Sequence, residues 1–288
     1  MVTTDTSREL TIAPRARPGP IALVREGFRE MWSRRRLARY LVQAELHSKG
    51  SDTLLGNVWW VLDPLLQMAV YVILVTVIAG RATPDYPLFI FCAILPWKWF
   101  SSSVNDAVTS VVSREKIIKQ VKFPKIILPV AAVVGGIVNF GFGLIALAGL
   151  LLLFYIHRAS PLVVFIPVIA AVQFVFSLAV AITLSAVNVF YRDVGNVMRH
   201  VLRLWFYLSP GLYSARQLNQ IANEHPTVER VLQLNPFTVL FESYRGVIYE
   251  GTPPQFAALG VLLVVSIGLL VLAIVFFKRV EPSFAKVL

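Results

Sequence analysis

Apolar and polar positions alternate along this chain on a long scale. Runs of twenty or more apolar residues are separated by short polar loops, and the loops on one side hold nearly all the Lys and Arg. Hydrocarbon cannot hydrogen-bond a backbone, so each long run is expected to span as a closed helix. The pattern predicts an all-α, polytopic membrane protein with six transmembrane helices, at about 58–80, 86–109, 126–156, 161–190, 198–213 and 255–277. The stretches 126–156 and 161–190 contain no charged residue and exceed the ~20 residues a crossing needs, so tilt or overhang is expected there. Pro96 is expected to break the second span, and Arg199, Arg203 and Ser209-Pro210-Gly211 make the fifth the weakest.

Shorter periods fill the remainder. Residues 1–20 are polar, with Pro14, Pro18 and Pro20 opposing helix, and read as a disordered cytoplasmic tail without the apolar core of a secretory signal. Over 21–57 the pattern changes: Ile21, Val24, Phe28, Met31 and Trp32 recur at helical spacing among Arg25, Arg29, Arg34, Arg35, Arg36 and Arg39. This predicts an N-terminal amphipathic interface helix lying flat on lipid, with a soluble helix docked on a partner as the alternative. In the last outer loop, 214–254, Phe237, Leu240, Phe241, Tyr244, Val247 and Ile248 share one face of a helix too short to cross, which predicts re-entrant or surface helices. Residues 278–288 form a C-terminal tail.

Composition supports the membrane reading. Hydrophobic residues make up 57% and charged residues 15% of the chain, against roughly 45–50% and 25% in soluble domains. The formal charge of +11 does not point to nucleic acid, because ten of the 27 basic residues precede Val58 and abut the first span. With the N-terminus inside, 21 basic residues fall on the inner side and five, Arg81, Arg158, Arg216, Arg230 and Arg245, on the other. The positive-inside rule therefore places both termini in the cytoplasm.

Catalysis finds little support. His47, His157, His200 and His225 are far apart, no metal-ligand spacing or nucleophile elbow occurs, and Cys92 stands alone inside an apolar run. No P-loop motif is present, so any ATP drive is expected from another subunit, which would bind the ATP and Mg; the chain itself is expected to need no cofactor or metal. Two inner loops carry more information. Val111, Val112, Ile117, Ile118 and Val121 are expected on one face of a short helix whose other face shows Arg114, Glu115, Lys116, Lys119 and Lys122; Tyr191, Arg192, Asp193 and Asn196 follow the fourth span. Such charged helices suit docking to a cytoplasmic partner, or they serve only to fix topology.

Lys98 stands about 18 Å into the second span by residue count, with Asp63 or Asp106 as candidate partners. Snorkelling beside a kink at Pro96 is the alternative. Aromatic groups cluster at Trp97, Trp99 and Phe100 and at Trp205, Phe206, Tyr207 and Tyr213. Along a wide polar path such rings can stack on sugars, though interface anchoring uses the same residues.

Five stretches, in order, resemble the integral-membrane subunit of ABC-2-type polysaccharide exporters, which move O-antigen, teichoic acid or galactan. They are Leu55-Gly56-Asn57-Val58-Trp59-Trp60-Val61-Leu62-Asp63-Pro64, Leu95-Pro96-Trp97, Lys122-Phe123-Pro124-Lys125-Ile126-Ile127-Leu128-Pro129, Tyr191-Arg192-Asp193, and Leu234-Asn235-Pro236-Phe237 followed by Arg245. The resemblance implies a homodimer in the bacterial inner membrane, bound to two copies of a separate ATPase and carrying a polyprenyl-pyrophosphate-linked glycan. It further implies that Arg114 to Val121 and Tyr191 to Asn196 are coupling helices and that Asn235, Pro236, Phe237, Phe241, Tyr244 and Arg245 belong to an outer gate. Arg34, Arg35, Arg36 and Arg39 would then face lipid head groups. Other readings are an ABC-2 permease for a drug or lipid, an ion-coupled carrier with Lys98 as relay, and a membrane-embedded glycan transferase or hydrolase.

Overall fold

A computed structural model describes residues 19–50, 55–78, 80, 83–121, 123–212 and 234–288. Among them every regular element is helical. Helices α1 (Pro20–Ser33) and α2 (Arg35–Gly50) precede α3 (Trp59–Val72), which continues as a π-helical turn over Ile73–Ile78. Then come α4 (Tyr86–Ser110), the short α5 (Glu115–Gln120), α6 (Ile127–Phe154), and α7 (Ile166–Phe190) led in by a 3₁₀ turn over Pro161–Phe165. The remainder is α8 (Val194–Leu208), α9 (Pro236–Arg245) running into a π-helical turn Gly246–Glu250, α10 (Phe256–Val280), and α11 (Phe284–Val287) after a 3₁₀ turn at Glu281–Ser283.

Five of these stretches, Trp59–Ile78, Tyr86–Ser110, Ile127–Phe154, Pro161–Phe190 and Phe256–Val287, are long and apolar enough to cross a bilayer. The predicted fifth span, 198–213, corresponds to α8, whose 15 residues rise only about 22 Å. It falls short of the ~30 Å hydrocarbon thickness as a helix, so the described residues give five such helices and not six.

The interface segment 21–57 is also not one helix. The chain turns at Arg34, whose φ of −100° and ψ of 19° end α1 and start α2. α1 packs through Leu23 and Gly27, and a Cβ at Gly27 would lie 2.5 Å from Ile274 Cγ2. That close approach to α10 leaves Ile21, Phe28 and Trp32 exposed, on the apolar stripe predicted to face lipid.

α4 is the centre of the bundle and packs against α3, α6, α7, α8 and α9. Its seam with α6 is tight because Gly136 and Gly143 lack side chains: a Cβ there would come within 2.1 Å of Ser103 Oγ and 2.5 Å of Leu95 Cδ2, respectively. Pro96 does not break α4. The helix runs through it, and the buried Gln173 of α7 donates a 2.7 Å bond to the Pro96 carbonyl.

Two ends of the bundle can be told apart by contact. At one, basic end, Lys125 meets Glu281, Arg192 meets Glu115, and Phe284 packs on Phe277 and Phe190. The C-terminal residues are thus folded onto the bundle, with Phe284 wholly buried. At the far end Asp85 meets His157 and Arg158. Most of the predicted tail 1–20 lies outside the described residues, as do Arg81, Lys122, Tyr213, Arg216 and Arg230.

Candidate functional site

Three helices enclose a polar groove of about 230 Å³. α3 contributes Gln67 and Tyr71; α4 contributes Trp97, Ser101 and Asn105; α8 contributes Arg199, Arg203 and Tyr207, with Leu202 and Phe206 between them. The spacing explains the convergence, because residues four apart on a helix stack on one face. Two guanidiniums, an amide on each of two helices and hydroxyl groups therefore line one concavity. Arg199 is steadied by a hydrogen bond to Asn196 Oδ1. Such a surface can hold anionic oxygens by forked hydrogen bonds and hydroxyl-rich groups by ordinary ones.

Behind the groove the aromatic groups interlock. Trp97 lies 4.7 Å from Phe237, 5.4 Å from Phe206 and 6.1 Å from Trp205, centroid to centroid. Phe100 meets Phe237 at 4.8 Å and Trp205 at 5.6 Å. Of the aromatics singled out as path-lining, Trp97, Phe206 and Tyr207 line the groove, whereas Phe100 is wholly buried in the core beside Trp205. Lys98 and Trp99 line a separate cavity between α3, α4 and α6. Lys98 is paired with Asp63, not Asp106. Asp63 sits in the second turn of α3, and Lys98 midway along α4.

Asn235 ties α9 to α8. It caps α9 by accepting from Phe237 N at 3.0 Å, also accepts from Trp205 Nε1 at 3.2 Å, and donates to Ser209 Oγ at 2.8 Å. Pro236 at the first helical position has no N–H to satisfy, which suits this buried helix start. The predicted apolar face of α9 is entirely interior: Phe237, Leu240, Phe241, Tyr244, Val247 and Ile248 are all buried.

Arg245 closes the other end of α9. Its guanidinium donates to the Pro210 carbonyl at 2.6 Å, to the Gly211 carbonyl and, at 3.5 Å, to that of Phe89, and lies 3.8 Å above the Phe89 ring. Nearby, Tyr86 Oη donates to Leu212 O at 3.3 Å and Tyr249 Oη to Pro84 O at 2.6 Å. Asp85, in the left-handed region at φ 51°, takes Arg158 at 2.9 Å and His157 at 3.2 Å, and Arg158 also covers the Tyr249 ring at 4.7 Å. Partial burial raises the Asp85 pKa, but the bonds from Arg158 and His157 outweigh it and hold the carboxyl below its ordinary value.

The two charged loops predicted to dock a partner are brought together at the basic end. Glu115 accepts from Lys119 at 2.6 Å and faces Arg192 at 3.9 Å across the loops. The Lys119 bond holds the Glu115 carboxyl below its usual range. Lys116, Asp193 and Asn196 are exposed alongside and Arg114 is half-buried. The expected apolar face of α5 is split: Val111 and Ile118 are buried, but Ile117, Val121 and the neighbouring Tyr191 are exposed. A rigid face of mixed apolar and charged groups results. Arg34, Arg35, Arg36 and Arg39 are all exposed at the α1–α2 junction, with Arg35 5.2 Å from the Trp32 ring centroid.

One cluster was not foreseen from the sequence. Lys278, 6% exposed, meets Glu26 at 3.2 Å, Glu30 at 2.7 Å and Glu281 at 2.8 Å, and Glu281 accepts the Lys125 N–H at 2.7 Å. Burial raises the Glu30 pKa against the opposing pull of Lys278. The cluster binds α1, α10 and the loop after α5 into one unit. In the sequence Lys278 is simply the first cation after an apolar run, and its partner Glu30 is 248 residues away.

A helical bundle with five bilayer-length helices, a polar groove and a charged face at one end defines an integral membrane protein built for passage. The chain belongs to the ABC-2 type transporter family, whose profile matches residues 36–249. Among its relatives, the O-antigen export system permease protein RfbA of Myxococcus xanthus is 35% identical over 260 residues, which cover 90% of this chain and 97% of that protein. A protein of the same name from Klebsiella pneumoniae is 25% identical over 251 residues, 86% of this chain and 93% of its own length.

Proposed function

We propose that this chain is the membrane-spanning subunit of an ATP-driven exporter that carries a lipid-linked cell-surface polysaccharide out of the cytoplasm; its relatives are named as permeases of O-antigen export systems. The observation that carries the reading is the polar groove between α3, α4 and α8, where Arg199 and Arg203 stand beside amide and hydroxyl groups. A polyprenyl pyrophosphate would engage the guanidiniums, and the attached sugars the amides, hydroxyls and the Trp97 and Tyr207 rings.

The bundle acts as a pair of identical subunits, each worked by a separate ATPase that binds ATP and Mg. The face made by α5 and Tyr191 to Asn196 receives that ATPase, and the Glu115–Arg192 contact makes the two loops move together. Closure of the ATPases pulls these faces together and opens a path between subunits, a change between two global states. The basic end faces the cytoplasm, with both termini there.

The segment from Val194 to Leu212 serves as a sixth crossing. Two contacts support this: Gly195 lies beside Val108 and Thr109, and the Leu212 carbonyl bonds Tyr86 at the opposite end of α4. α9 acts as a re-entrant element of an outer gate. Its start, at Phe237, is level with Trp97 and Phe100, and its π-helical end, at Tyr249, is level with Pro84.

The test is reconstitution with the co-purifying ATPase and a lipid-linked glycan. Arg192→Ala and Asp193→Ala are expected to lower glycan-stimulated ATP turnover about tenfold, a loss of roughly 1.4 kcal/mol in coupling, while membrane insertion is kept. Normal export by both variants removes the loop from the coupling role. Active transport by the chain alone in liposomes removes the whole reading.

A further inference from the structure

The cavity between α3, α4 and α6 is separate from the polar groove and differs from it in chemistry. It measures about 190 Å³ and is walled by Trp60, Trp99 and Phe140, with the Lys98–Asp63 pair on one side and Asn139 on another. Asn139 Oδ1 is buried without a hydrogen-bond partner. Two acceptors, the Asp63 carboxylate and the Asn139 carbonyl oxygen, thus stand among three aromatic rings, which is the surrounding an ammonium group prefers. Beside them Lys98 offers a cation to an anionic oxygen. Plus and minus are presented side by side.

A free metabolite does not fit this location well. The Lys98 and Asp63 side chains are 31% and 61% exposed, so the pair reaches the rim of the cavity. Two of the three helices that wall the cavity carry exposed apolar side chains, Leu66 on α3 and Ile137 and Ile145 on α6, as a surface in contact with acyl chains does. A ligand here needs a charged, zwitterionic head and an apolar body.

We propose that this cavity is a seat for a zwitterionic, amine-bearing phospholipid of the phosphatidylethanolamine type. Its ammonium group lies between Asp63, Asn139 and the rings, and its phosphate on Lys98. The Lys98–Asp63 pair opens to admit the head group, each ion exchanging its neighbour for the complementary charge of the lipid, so that neither is left unpaired. The site is distinct from the cargo groove and rests only on insertion of the chain in a bilayer, not on what it transports.

The experiment uses the full-length protein in nanodiscs of equal phosphatidylethanolamine and phosphatidylglycerol, released stepwise into a native mass spectrometer. The expected result is about fivefold enrichment of phosphatidylethanolamine among the last retained lipids. Asp63→Asn is expected to abolish the preference, and Asn139→Ala, which leaves the ion pair in place and guards against a folding defect, to reduce it to about half. Equal retention of the two lipids overturns the proposal, as does a preference that survives both substitutions. Retention of neither, with the cavity filled by a second copy of the chain, overturns it too.

Discussion

α3 and α4 are both long enough to cross a bilayer, yet 6% of the most apolar part of α3 is buried in the bundle and 78% of that of α4. α4 is the less apolar of the two. In water that order would be reversed. In lipid, hydrocarbon tails solvate Leu and Val as well as a protein core does, so burial follows close packing and polar pairing instead. α4 is interior because Gly136 and Gly143 let α6 approach it, because Gln173 reaches the Pro96 carbonyl, and because its aromatics interlock with α8 and α9. α3 turns one stripe inward, Trp60, Pro64, Gln67 and Tyr71 with Asp63 at its rim, and leaves Leu66, Val70, Ile73 and Val77 outside.

The contrast can be broken most severely at the α4 seam. Gly136→Leu puts a side chain where a Cβ already meets Ser103 Oγ at 2.1 Å and Trp99 Cδ1 at 2.8 Å. It is expected to cost about 3 kcal/mol or more, read as loss of the monodisperse protein in size-exclusion and thermal-unfolding assays. Gly141→Leu, where nothing lies within 4 Å, is the control and is expected to be tolerated.

Next is Arg245→Met, which leaves the Pro210 and Gly211 carbonyls without their donor inside the bundle. A loss of about 2–3 kcal/mol is expected in thermal unfolding. The contact of Asp85 with His157 and Arg158 is weaker. The Asp85 pKa is lower in the folded chain than unfolded, so its contribution is present above the ordinary carboxylate value and fades as pH falls through the lowered one. Asp85→Asn is expected to cost ~1 kcal/mol at neutral pH and nothing at low pH, in a pH series of unfolding temperatures. On the outer face of α3, Val70→Ala is expected to change stability by less than ~0.5 kcal/mol, because lipid replaces what is removed. A large effect there would mean that another protein surface covers α3.

The long apolar runs were legible because their length alone sets them apart, and five of the six predicted spans agree with helices to within a few residues. The Phe237 to Ile248 face was legible for the same reason: helical spacing of large apolar residues marks burial wherever the helix lies. The fifth predicted span, 198–213, overlaps α8, which begins at Val194 and stops at Leu208, and nothing in one dimension shows that the next residues are held by Tyr86 and Arg245. The break at Arg34 was hidden because the charged stretch continues the helical period. Pro96 looked like a breaker, yet α4 runs through it, and Gln173, which reaches its carbonyl, is 77 residues distant. Within the groove, the aromatics were visible but Gln67, Ser101 and Asn105 were not, being unremarkable polar residues until three helices align them.

Arg245 has one more implication. Just past the end of α8, the buried Pro210 and Gly211 carbonyls lie outside any helical ladder, and a single planar guanidinium answers both while reaching a third carbonyl on α4. An ammonium on a flexible stem cannot aim three donors in one plane, so even lysine should be refused at this position. At the end of the described part of this segment, one side chain stands in for a missing turn of backbone.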